Sequence, residues 1–291
     1  MKIKSYVLNA FTKDYGGGNP AGVVLDTEQL SENHMQAAAK ILGFSETAFL
    51  LPSDKADWQI RYFTPVEEVP ICGHATVALF SALLQLEEAA IGWYTIETKA
   101  GILSIEITEN QQIFLQQTSP HYLDILPAEK IAASLNLAID DLHEELPIQI
   151  VSTGLKDILI PVKSLETLSQ VTPDFEQITQ LSKKHHVTGY HVFSLETSQP
   201  QATAQCRNFA PLFDIPEESA TGTSNAALAC YLAHYLRKEE EMNEEVFIFE
   251  QGYSRGAPSE IIAKLSQKKG LIHGIYVGGT ASDYLERELE V

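Results

Sequence analysis

The chain has 291 residues, 44% of them hydrophobic, and its 39 acidic against 20 basic residues give a formal net charge of -19. That length suits two ordinary domains, each able to bury its own core. The charge argues against nucleic acid and anionic membrane surfaces as partners, since both need clustered Lys and Arg, but it leaves room for a small anionic ligand in a locally positive pocket.

The opening Met1-Lys2-Ile3-Lys4 leads into a mixed, strand-like segment without a long apolar run, so no signal peptide is expected. No later run is long enough to span a bilayer. Cys72, Cys206 and Cys230 are few, odd in number and without a Cys-x-x-Cys pairing. They favour free thiols and a reducing, cytoplasmic compartment.

In chain order, residues 3–11 alternate well enough for a strand. Tyr15-Gly16-Gly17-Gly18-Asn19-Pro20-Ala21-Gly22 invites a phosphate-loop reading, but such a loop opens a helix, whereas residues 23–25 continue as a strand. The segment is better read as a turn that brings the Asn19 side chain and glycine backbone beside a pocket. Ser31 is an expected helix N-cap, with Met35, Ala38, Ala39 and Leu42 on one face and Gly43 as the stop.

Residues 44–51 read as the next strand, and at a period of two Glu46 shares a face with Phe44, Ala48 and Leu50. A carboxylate on an apolar face is desolvated, which suits it to taking and returning a proton. The competing reading turns Glu46 to solvent or pairs it with Arg61 across the sheet.

A strand at 58–63 then enters the stretch around which the chain is organised. Phe63-Thr64-Pro65 and Val69-Pro70-Ile71-Cys72-Gly73-His74-Ala75-Thr76 precede a run that is apolar on every side. Phe209-Ala210-Pro211, Ile215-Pro216 and Thr221-Gly222-Thr223-Ser224 repeat the pattern before a second apolar run at 226–232. Each copy predicts a strand, a proline-punctuated loop, a glycine turn and a helix buried on all sides. The glycine permits close approach of a ligand, and the first helical N–H groups lack partners within the helix, so two such starts suit an anion. The plainer alternative is a pair of core helices that happen to begin with glycine.

Between the copies, residues 94–97, 102–107 and 113–117 predict antiparallel strands. A seam falls near 118–126, and a helix follows at 127–135. The order of elements then repeats: residues 148–151 and 158–160 are strands flanking a glycine loop, Thr172-Pro173 starts a helix through Lys184, and residues 187–193 fall where Glu46 fell, with Tyr190 or His191 in its place. Glu217-Glu218 precedes the second glycine, where the first copy offers only Ile71. His185, His186 and His191 lack the spacing of a helical metal site, so no metal is expected.

Together Asn19-Pro20-Ala21-Gly22, Ser45-Glu46-Thr47-Ala48-Phe49, Phe63-Thr64-Pro65, Cys72-Gly73-His74-Ala75-Thr76 and residues 215–223 resemble the phenazine biosynthesis PhzF-like family. Glu250-Gln251-Gly252, Pro258-Ser259 and Val277-Gly278-Gly279 match its closing pattern. The resemblance implies an α+β, diaminopimelate epimerase-like fold of two pseudo-symmetric halves, each a mainly antiparallel, barrel-like sheet around one central helix. The expected halves are residues 1–117 with 276–291, and residues 118–275. It further implies a cofactor-independent isomerase, usually a homodimer, with its site in the cleft between halves.

Carried over by position, Glu46 is the proton-transferring group, and His74 and Glu218 are its catalytic companions. A small carboxylate substrate is expected to sit on the backbone N–H groups around Gly73, Gly222 and Thr223, with Asn19 as a further binding residue beside the pocket. Glu218-Ser219 stands where the family usually has aspartate followed by proline, which sets the carboxylate one methylene further out and removes a rigid residue. The epimerases of this fold use two cysteines, and this chain has Cys72 at the first glycine turn but Ser219 or Ala220 near the second. A two-thiol racemase is therefore not expected, and Cys72 reads as a small buried residue. A binding or scaffold protein that retains the fold is the non-enzymatic alternative.

Overall fold

The computed structural model describes residues 1–13, 16–236, 244–268 and 271–291; Tyr15 of the glycine-rich segment lies outside the described residues. The chain divides into two compact units, Met1–Gln116 with Gly278–Val291, and Gln117–Val277. Each is a mixed α+β unit built on the same order of elements.

In the first unit, strand Lys2–Ala10 lies antiparallel to both Ala281–Glu290 and Asn19–Val24. Asn19–Val24 runs parallel to Thr47–Leu51, a crossover made by helix Glu32–Leu42. That helix forms as its sequence dictates: Ser31 accepts the His34 N–H, Met35, Ala38, Ala39 and Leu42 are buried, and Gly43 closes it at φ 71°. Strand Trp58–Phe63 is antiparallel to Thr47–Leu51 and to the short Glu68–Val69, and runs parallel to Gly92–Thr98 at Ile96 and Glu97; Gly92–Thr98 forms a hairpin with Gly101–Ile107. The first central helix, Gly73–Gln85, packs on strands Asn19–Val24, Lys2–Ala10 and Thr47–Leu51, buried on successive turns from His74 to Leu83.

The second unit repeats the pairings. Lys156–Val162 runs parallel to Gly189–Ser194, which is antiparallel to Ala204–Ala210. Ala204–Ala210 in turn pairs antiparallel with Ile215–Glu218 and parallel with Glu244–Gln251. The second central helix, Gly222–Leu236, is buried from Ser224 to Leu232 and packs on the strands of its own unit.

Several boundaries differ from the sequence reading. The third strand begins at Thr47, so Glu46 stands just before it rather than on its alternating face. Asn19 is the first residue of its strand, opposite Ala10, and not part of a turn. The seam at 118–126 contains strand His121–Ile125. The helix expected from Thr172-Pro173 starts at Phe175, because the Asp174 carboxylate rather than Thr172 accepts the Gln177 N–H and caps it.

Strand register also corrects the comparison of the two copies. Thr47 lies opposite Phe63 and Tyr190 opposite Phe209, so the counterpart of Glu46 is Gly189, not Tyr190 or His191. A Cβ built on Gly189 would lie 2.0 Å from the Phe209 carbonyl oxygen and 3.0 Å from the Ala210 Cα. Two strands approach there too closely for any side chain. Likewise Phe63 faces Glu68 and Asn208 faces Glu218, which aligns Glu217 with Glu68 and Glu218 with Val69.

We expect Gly189→Ala to lower unfolding stability by at least about 1–3 kcal/mol, since backbone rather than a movable side chain blocks the new methyl. Gly73→Ala, whose Cβ would meet nothing within 4 Å, serves as the contrast and should change stability little. Urea titrations of both variants check this; equal midpoints would contradict the close approach.

Candidate active site

Two segments of the first unit build one cluster. Glu46 ends the turn that follows helix Glu32–Leu42, and its carbonyl accepts the Gly22 N–H at 3.2 Å. Cys72 is the N-cap of the first central helix and makes no side-chain capping bond, while His74 lies in the helix's first turn. The fold brings His74 Nε2 to 3.2 Å from Glu46 Oε2 and 3.3 Å from Ser45 Oγ. Cys72 Sγ lies 3.4 Å from His74 Nδ1.

Glu46 Oε2 is buried and has no aligned hydrogen-bond partner; its contact with His74 is one of proximity. Buried carboxylate oxygens are ordinarily satisfied, so Glu46 Oε2 retains capacity to accept a hydrogen bond. Burial lowers the His74 pKa below its ordinary 6.5, against the upward pull of Glu46. The ring is therefore held neutral and carries one N–H, which it can offer either to the Glu46–Ser45 side or to Cys72. Among the described residues Glu46, Cys72 and His74 also form a group with potential metal-ligating atoms within 4.8 Å of one another.

Arg61 does not neutralise Glu46. Its guanidinium donates twice to Glu68, at 2.8 and 2.6 Å, and once to Glu32 at 2.7 Å. The alternative that paired Glu46 with Arg61 is thereby removed. Arg207 repeats the clamp on Glu217 at 2.8 and 3.0 Å, so Glu217 is a structural residue.

In the second unit Glu218 Oε2 accepts the Thr221 hydroxyl at 2.5 Å, and Gln251 Nε2 donates to the Glu218 carbonyl and to Thr221 Oγ1, each at 3.0 Å. Gly222 is buried at the helix start, and the Thr223 carbonyl accepts the Thr153 hydroxyl at 3.2 Å. The helix bonds place Thr221, rather than Ser219 or Ala220, at the position of Cys72: Thr76 Oγ1 donates to the Cys72 carbonyl and Asn225 Nδ2 to the Thr221 carbonyl. Glu46, His74 and Gly73 are thus gathered in one unit and Glu218, Gly222 and Thr223 in the other, while Asn19 is buried at its strand start.

Sequence reasoning quoted Ser45 and Gln251 within motifs without giving either a role. Their signal was adjacency to Glu46 and to Glu250-Gly252; only the fold shows what each touches. His185 ends a helix and His186 caps it at φ 54°, whereas His191 is fully buried in a strand, so the three histidines do not form a ligand set.

Because the folded His74 pKa lies below the unfolded one, the unfolded chain takes up this proton first. The stability contributed by the neutral ring is complete above the unfolded pKa and is lost as pH falls through the folded value. We expect His74→Gln to lose stability less steeply than the parent between about pH 7 and 5. Urea titrations across that window check it, and identical slopes would exclude a buried neutral ring.

Residues 8–287 match the family described as phenazine biosynthesis-like protein, PhzC-PhzF. The chain is 36% identical over 278 residues to the uncharacterized isomerase YfhB of Bacillus subtilis, covering 94% of this chain and 93% of the relative. It is 34% identical over 287 residues to the uncharacterized isomerase YddE of Escherichia coli, covering 97% and 96%. Among solved structures, the Bacillus anthracis phenazine biosynthesis protein of the PhzF family superposes at TM-score 0.92 with 33% identity and full coverage of both chains. A hydroxyproline epimerase from Agrobacterium vitis shares the fold at TM-score 0.63 and 11% identity, over 99% of this chain and 92% of the other. With nearly the whole length matched, the chain belongs to the phenazine biosynthesis-like PhzC-PhzF family.

Proposed function

We propose that this chain is an isomerase that shifts a proton on a small carboxylate substrate, with Glu46 as the base. The observation that carries the reading is the Glu46 carboxylate, buried at Oε2 without a hydrogen-bond partner and 3.2 Å from His74 Nε2. Relatives named isomerase, matched over nearly the whole chain, support the reaction class. Glu46 removes a proton from an activated carbon of the substrate and returns it to another carbon or to the opposite face. His74, neutral at the start, orients the Glu46 carboxyl and is placed to share its proton.

The uncapped start of the first central helix supports Gly73 as a contact for the substrate carboxylate: Cys72 supplies no side-chain acceptor there, and the Cβ direction of Gly73 is open. We assign Glu218, Gly222 and Thr223 to the same reaction, Glu218 as an orienting carboxylate held by Thr221. Asn19 is assigned to substrate binding on the family resemblance. On the same resemblance the enzyme works without a cofactor, as a homodimer, in the cytoplasm. A one-base proton shift suits this chain better than a two-base racemisation, because the counterpart of Glu46 is a glycine and the counterpart of Cys72 a threonine.

In deuterated water the protein should exchange hydrogen into a small carboxylic acid drawn from a cell extract. Glu46→Gln should reduce that uptake on the order of 100-fold or more while leaving the circular dichroism spectrum unchanged. Mass spectrometry of the extract reads the outcome; undiminished uptake in the variant would end the assignment.

A further inference from the structure

A run of polar side chains, buried except at its half-buried Thr221 and Glu218 end, crosses the second unit from Asp157, and its donors follow one another in a fixed sense. Asn208 Nδ2 donates to His191 Nδ1 at 3.2 Å, which leaves the ring's proton on Nε2. His191 Nε2 then donates to Asn225 Oδ1 at 3.2 Å, and Asn225 Nδ2 to Gln251 Oε1 at 2.9 Å. Gln251 Nε2 donates to Thr221 Oγ1 at 3.0 Å, and Thr221 donates to the Glu218 carboxylate at 2.5 Å. In the other direction Asn208 Nδ2 donates to Ser224 Oγ at 3.2 Å, and Ser224 to Asp157 Oδ2 at 2.7 Å. Both ends of the run are carboxyl groups.

We infer that His191 and Asp157 are positioning residues: through this run they fix the orientation of the Gln251 amide and the Thr221 hydroxyl, and so hold Glu218 as an ionised acceptor. The inference deepens the proposed function and rests on its reading that Glu218 belongs to the reaction site. The physical content lies in the two amides. If Asn225 turned over, its NH2 would face the His191 N–H, donor against donor, and Gln251 would lose the acceptor relation that points its own NH2 at Thr221. Aligned bonds polarise one another in a dry interior, so the last donor, the Thr221 hydroxyl, is strengthened toward the carboxylate.

The surroundings agree with this sense. Burial lowers the His191 pKa to about 4, keeping the ring neutral, with the Asn225 bond opposing. Burial pushes Asp157 up to about 6, against the Ser224 hydroxyl and the Gly189 N–H. Three charged groups on the strands that carry the run, Arg207, Glu217 and Glu250, have partners of their own. Arg207 and Glu217 bind each other, and Glu250 accepts the Ser198 N–H and the Tyr253 hydroxyl at 2.7 and 2.9 Å.

The test reads Glu218 itself in the full chain, by carbon-13 titration of its labelled carboxyl together with nitrogen-15 shifts of the His191 ring. At neutral pH the ring should show the Nε2–H tautomer. His191→Leu and Thr221→Val, which cut the run in the middle and at its end, should each raise the Glu218 midpoint by about half a pH unit or more. His191→Gln, which restores an amide donor, should recover most of the shift. If His191→Leu does not fold, Thr221→Val and the tautomer decide. An Nδ1–H tautomer, or a Glu218 midpoint unmoved by Thr221→Val, overturns the inference. Turnover does not enter these readouts, so they separate this inference from the Glu46→Gln exchange experiment.

Discussion

The placement of both helix starts depends on one interaction made twice, the bidentate grip of an arginine on a glutamate. Arg61 holds Glu68 and stacks its guanidinium 5.0 Å over the Phe63 ring; Arg207 holds Glu217 and lies 5.0 Å over Phe209. Each arginine sits two residues before the phenylalanine that opens the proline-punctuated loop, and each glutamate lies on the short strand that closes it. The grip joins the two ends of the loop, and the glycine turn and central helix follow from where the loop is closed. Paired guanidinium and carboxylate groups with little exposure keep one geometry, which freely solvated pairs do not. Arg207 adds donors to the Leu168 and Val171 carbonyls and so also ties a neighbouring helix end to the sheet.

On this shared frame the two units carry different chemistry. The first exposes a glutamate, a histidine and a cysteine to one another around a carboxylate oxygen left without a bond. The second has a glycine in place of that glutamate and instead carries a run of bonded amides, hydroxyls and a histidine ending on Glu218. Glu46 Oε2 is left without a hydrogen bond, whereas Glu218 Oε2 accepts one from Thr221.

Much of the fold was legible because its signals are local or periodic. Ser31 and Gly43 mark a helix by capping chemistry, the apolar runs after Gly73 and Gly222 mark buried helices, and the doubled strand-loop-glycine pattern marks the repeat. Glu46 and His74 were legible through their motifs, but the alternating-face argument for Glu46 rested on a strand expected from residue 44 that begins only at Thr47. What the sequence hid was register. Only strand pairing shows that Gly189 and Glu217 are the residues to compare with Glu46 and Glu68, and only the helix-start bonds set Thr221 against Cys72. The run from Asp157 to Glu218 was hidden for a related reason: its members come from separate strands and a helix, and none neighbours the next in sequence except Ser224 and Asn225, which do not bond each other in it.

The close approach at Gly189 bears on how this fold can change its chemistry over time. A duplicated half that began with equivalent groups could trade one-base for two-base catalysis by exchanging a residue at each matching position. Here the matching position lies against the Phe209 carbonyl, and no single codon change can install an acid there without moving a strand. At the position that matches Glu46, backbone rather than side-chain choice excludes a second acid.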